Sequence, residues 1–96
     1  MNRSKTLELL ASSKAELERR YGVVRLALFG STARDSANPD SDVDILVAFE
    51  GPATSEKYFG VQFFLEDLLG RPVDLVTEKA LRAELRPTIE REAVHV

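Results

Sequence analysis

The chain has 96 residues, the size of one small domain, and carries 13 basic against 16 acidic side chains for a formal charge of −3. That balance argues against a general nucleic-acid binder held by phosphate neutralisation. The absence of cysteine and the single histidine exclude disulfide scaffolds, thiolate zinc sites, cysteine nucleophiles and any site needing two imidazoles.

Leu7, Leu10, Leu17 and Tyr21 recur at helical spacing, predicting a helix from about Ser4 to Tyr21 with Gly22 as its stop. Ser13 with Glu16 resembles a capping box, so one helix or two stays open. Val23 to Phe29 reads as a buried strand. A short helical turn is expected from Thr32 to Ser36, then a turn at Asn38-Pro39-Asp40. Val43 to Phe49 reads as a second strand. Thr54 or Ser55 caps a helix running to Leu69, with Gly70 as its stop, and Val73 to Thr77 is a third strand. Lys79 to Leu85 reads as helical, Pro87 as a first-position proline, and Ala93 to Val96 as a last strand. Alternating strands and helices imply an α/β fold, a small mixed β-sheet with helices packed on it, as a single domain over residues 1–96. The apolar runs fall far short of the ~20 residues that span a bilayer, and the first residues do not resemble a signal peptide. A cytoplasmic protein without a membrane partner is expected.

Three features carry chemistry. Gly30-Ser31-Thr32-Ala33-Arg34 follows the first strand directly, where a glycine admits close approach of a ligand. Helix-start N–H groups, the Ser31 hydroxyl and the Arg34 fork all suit phosphate oxygens. The same residues also fit a plain capping turn. Ser41-Asp42-Val43-Asp44 opens the second strand, and residues two apart on a strand share a face. Asp42 and Asp44 are therefore expected side by side, with Val43, Ile45 and Val47 turned into the core. Asp74 is again a lone acid within an apolar strand. Two such charges 4 Å apart repel by about 4 kcal/mol at an effective dielectric of 20, so the cluster calls for raised pKa values, basic partners or a divalent cation. Oxygen-only ligands suit Mg2+ or Mn2+. A structural pairing with Arg34 or Lys79 is the alternative.

Taken together, Gly30-Ser31-x-Ala33-Arg34, Ser41-Asp42-x-Asp44 and the later Asp74 resemble the nucleotidyltransferase superfamily of DNA polymerase β, and more narrowly its minimal nucleotidyltransferase domains. The resemblance implies that family's core: a mixed sheet with helices on its outer face. It implies ATP as nucleotide donor, with the triphosphate at Gly30 and Ser31 and with Arg34 and Ser41 also toward the nucleotide. Asp42, Asp44 and Asp74 would be the catalytic residues and the ligands of two Mg2+ or Mn2+ ions, with Asp74 placed to take the acceptor proton. Many members have glycine where this chain has Asp35, a residue that visits the left-handed conformation more readily than most. Minimal domains of this kind pair with a small all-helical protein of the HEPN class in toxin–antitoxin modules. The transferase is there the antitoxin and adds AMP to a tyrosine of the toxin. A non-catalytic binding antitoxin, or a transferase for a small molecule or an RNA end, are the alternatives.

The core consumes the whole chain, so the acceptor must come with a partner or a second copy, and a homo-oligomer is one expectation. His95 reads as a surface or sheet-edge residue. On the helix from Ser55 to Leu69, Tyr58, Val61, Phe64, Leu65, Leu68 and Leu69 form one broad apolar face, while Phe59 and Phe63 form a second stripe flanked by Glu66 and Asp67. That stripe is either buried under the N-terminal helix or an anchor for a basic helical partner or a second copy.

Overall fold

A computed structural model describes residues 2–36 and 41–96. Helix α1 (Arg3–Tyr21) starts where Asn2 Oδ1 accepts from the Lys5 N–H at 2.8 Å, and it ends at Gly22, whose φ of 73° lets its N–H return to the Glu18 carbonyl. It is one helix. Ser13 is buried and donates back to the Leu10 carbonyl, so its hydroxyl is unavailable to cap a second start. Strand β1 (Val23–Phe29) runs directly into a single helical turn, α2 (Gly30–Ala33), which begins two residues earlier than the predicted Thr32 start. The predicted Asn38-Pro39-Asp40 turn lies outside the described residues.

Strand β2 (Val43–Phe49), helix α3 (Ser55–Leu69, capped by Thr54 and stopped by Gly70) and strand β3 (Val73–Thr77) follow as predicted. The expected helix at Lys79–Leu85 is not formed. A 3-10 turn covers Glu78–Ala80, Leu81 is extended, and helix α4 occupies Arg86–Glu92, before the two-residue strand β4 (Val94–His95). Pro87 presets the backbone of the first turn of α4 and so sets the helix start at Arg86.

The sheet order is β3-β2-β1-β4, with β1 antiparallel to both β2 and β4, and β2 parallel to β3. The sheet is therefore mixed, as predicted. Val43, Ile45 and Val47 of β2, Val73 and Leu75 of β3, and Leu26 and Leu28 of β1 bury one face against Leu10 and Leu17 of α1 and Val61, Leu65 and Leu69 of α3. Gly60 lets α3 approach α1 closely, since a Cβ there would strike the Tyr21 ring. Residues alternating with the core set, including Asp44 and Asp74, face the other side of the sheet. Among the described residues no helix is long and apolar enough to cross a membrane.

Candidate functional site

Parallel pairing of β2 with β3 sets Asp44 opposite Asp74. Neighbouring strands lie ~4.8 Å apart, so two acids in register on one face are forced together. The consequence is electrostatic. The Asp44 carboxyl is pushed up to about 6, first by burial, then by the charge of Asp74 and a hydrogen bond with it, and further by the charge of Asp42, while Arg34 acts in the opposite sense. The three acids singled out from the sequence thus influence one another. Asp74 touches Asp44, and Asp42, exposed just ahead of β2, acts through its charge.

The β1–α2 turn closes onto this pair. Gly30 has φ of 72°, and a Cβ there would run into the Asp44 carboxylate, meeting its Cγ at 2.9 Å. Only glycine meets both demands, so a bare backbone stands against the acid. Ser31 follows, half-buried, with its carbonyl accepting from the N–H and Oγ of Ser36. Asp35 has φ of 58°, the left-handed conformation expected of the residue standing in for glycine, and its Oδ1 accepts from the Arg3 N–H at 3.3 Å. The Ser41 carbonyl accepts from Arg71 at 2.8 Å, which anchors the start of β2 to the loop before β3.

Arg34 donates through one nitrogen to both carboxylate oxygens of Glu92 on α4, at 3.0 and 3.1 Å. Its structural partner is thus Glu92 rather than one of the aspartates. Lys79 lies at the far end of β2, where it lines a cavity of about 320 Å³ with Arg25, Ala48, Phe49, Glu78 and Arg86. That cavity is remote from the acid pair. Glu92 and Arg71 escaped the sequence reading because their partners lie 58 and 30 residues away, and no local pattern encodes such pairings.

Among the described residues no three acidic or histidine side chains are arranged to close on one ion. The donor chemistry nonetheless fits a hard divalent cation. The acids supply only oxygen ligands, and burial together with the neighbouring Asp74 and Asp42 charges raises the Asp44 carboxyl, an environment that a cation would relieve.

The model of the nucleotidyltransferase domain family matches residues 10–96. A protein adenylyltransferase, MntA of Thermococcus cleftensis, is 43% identical over 88 residues, covering 92% of this chain and 89% of its own. A solved structure described as a minimal nucleotidyltransferase superposes with a TM-score of 0.83 at 41% identity, covering 98% of this chain and 95% of its own. Two more distant structures share the fold. One is a toxin–antitoxin complex with AMP-PNP, at a TM-score of 0.70, 21% identity, and coverage of 99% of this chain and 72% of the other. The second is a tri-AMPylated Shewanella oneidensis HEPN toxin with its MNT antitoxin, at 0.60, 20% identity, and coverage of 98% and 67%.

Proposed function

This chain belongs to the nucleotidyltransferase domain family, and on that premise we propose that it is a metal-dependent protein adenylyltransferase, the antitoxin of a HEPN-type toxin. It transfers AMP from ATP to a toxin hydroxyl, that of a tyrosine. The acceptor oxygen bonds the α-phosphorus, the bond to the β-phosphate oxygen breaks, and pyrophosphate leaves. The observation that carries this reading is the Asp44–Asp74 pair, with Asp44 set flush against the bare backbone of Gly30.

Asp42, Asp44 and Asp74 would hold two divalent cations, Mg2+ or Mn2+, whose chemistry there is to neutralise the triphosphate and acidify the acceptor hydroxyl. Asp74 accepts the acceptor proton at its carboxylate. Gly30 lets the Asp44 carboxylate lie against its bare backbone at the triphosphate site, and the Ser31 hydroxyl and the Arg34 guanidinium donate to the triphosphate oxygens. Ser41, at the mouth of β2, lines the nucleotide. Arg34 follows α2 directly, and Glu92 braces it from α4. Residues 1–96 act as one nucleotidyltransferase unit in the cytoplasm.

Support comes from the relatives, one named a protein adenylyltransferase, another solved with AMP-PNP and a third bound to an AMPylated HEPN toxin. The test is incubation with ATP labelled at the α-phosphate, Mg2+ and a purified HEPN-type toxin. Label on a toxin tyrosine is expected. Label on a small molecule or an RNA end would replace the acceptor, and toxin binding without any label would leave a contact-only antitoxin.

A further inference from the structure

Helix α3 spends Val61, Leu65 and Leu69 on the core and turns Glu56, Phe59, Phe63 and Asp67 to solvent. Spacings of three, four and four residues place these side chains in one stripe. Phe59 is 49% and Phe63 62% exposed. Their rings stack at 6.3 Å between centroids, and Tyr58 meets Phe59 edge-on at 5.2 Å. Phe64 on the α1 side is treated differently: it packs against the core, and the Arg20 guanidinium covers its ring. A single exposed aromatic needs no explanation, but two stacked rings on one helix face form a patch.

An acid closes each end of the patch, Glu56 before Phe59 and Asp67 after Phe63, about 16 Å apart along the helix axis. Those charges select the occupant. A second copy of this chain docking by two-fold symmetry would set the acidic ends against one another, which costs affinity. A surface with an apolar groove and Lys or Arg at its ends fits both features. We propose that the Phe59/Phe63 stripe is the docking surface for a protein partner presenting an apolar, basic-flanked face. Asp44 and Asp74 occupy the opposite face of the sheet from α3, so docking here and presenting the acceptor hydroxyl involve different parts of the partner. The inference rests on the reading above for its probe, a purified HEPN-type toxin.

The experiment is calorimetric titration of that protein into wild type, a Phe59→Ser/Phe63→Ser variant and a Glu56→Lys/Asp67→Lys variant, with ATP affinity measured in parallel. Both variants are expected to fold, to keep the ATP affinity of wild type, and to lose at least tenfold in affinity for the partner. Wild-type binding should also weaken with salt. Unchanged partner affinity in the two variants overturns the surface, even if AMP transfer by wild type upholds the adenylyltransferase reading. Should the Phe variant unfold, the charge-reversal variant decides, because neither acid is buried. No binding by wild type, or a wild-type dimer that the Phe variant abolishes, overturns the proposed occupant.

Discussion

Replacing Gly30 by alanine asks two things of the new Cβ: to sit at φ of 72° and to share space with the Asp44 carboxylate. The first costs about 1–2 kcal/mol and the overlap about 1–3 kcal/mol more. Gly70→Ala meets only the first demand, since nothing lies within 4 Å of its Cβ position. Urea unfolding should therefore show Gly30→Ala as the more destabilised of the two, and only Gly30→Ala should lose nucleotide binding. Asp44 offers a test of opposite sign. Its carboxyl rises from 3.8 to about 6 on folding, so the folded protein holds a proton through a window where the unfolded chain has released it. In the metal-free protein this contribution is fully present below pH 4 and is lost as pH rises through 6. With the site half open to solvent, the loss is about 1 kcal/mol after screening. Asp44→Asn keeps the hydrogen bond to Asp74 without the charge. It should raise the melting temperature by a few degrees at pH 8, flatten the dependence between pH 4 and 7, and abolish AMP transfer. Full activity in that variant would remove Asp44 from the mechanism.

Between elements, the informative contact is α2 with α4. Glu92 sits in the last turn of α4, where the helix dipole disfavours an acid, so its place is explained by Arg34 rather than by α4. Both side chains are partly exposed, and the pair is worth less than about 1 kcal/mol. Glu92→Gln should therefore melt close to wild type. If the brace orients Arg34 toward the triphosphate, that variant should raise KM for ATP several-fold with kcat little changed, and steady-state kinetics would read this directly. The α3 faces show how far pattern reaches. The broad stripe from Tyr58 to Leu69 identifies its own core side, and Val61, Leu65 and Leu69 are buried as expected. The same periodicity cannot say whether a second stripe is covered by another helix. Only the packing of α1, brought close to α3 at Gly60, leaves Phe59 and Phe63 in water.

Across the whole molecule the sheet separates two surfaces, with the acid pair on one face and the aromatic stripe beyond the other. MgATP binding to the folded state alone stabilises it by mass action, about 2.7 kcal/mol at a hundredfold excess over Kd. Wild type and Phe59→Ser/Phe63→Ser should thus both gain on the order of 10 °C in melting temperature with saturating MgATP, whereas Asp44→Asn should gain little. Equal shifts in all three would place the nucleotide away from Asp44. Much of this architecture was legible in the residues themselves. Gly22 and Gly70 end helices by reaching a left-handed conformation, and Asp35 reaches it too. The apolar strands declare their burial, and Asp44 and Asp74 stand out as the acids within them, because each signal acts within a few positions of chain. Lys79–Leu85 shows the limit of such signals, since a weak local helical pattern gave way to a single turn and the Pro87 start. Strand order, the register of Asp44 on Asp74, the grip of Glu92 on Arg34 and the exposure of Phe59 and Phe63 were decided only by tertiary structure. Each is a pairing between segments far apart in the chain, and its energy exists only once the sheet has brought them together.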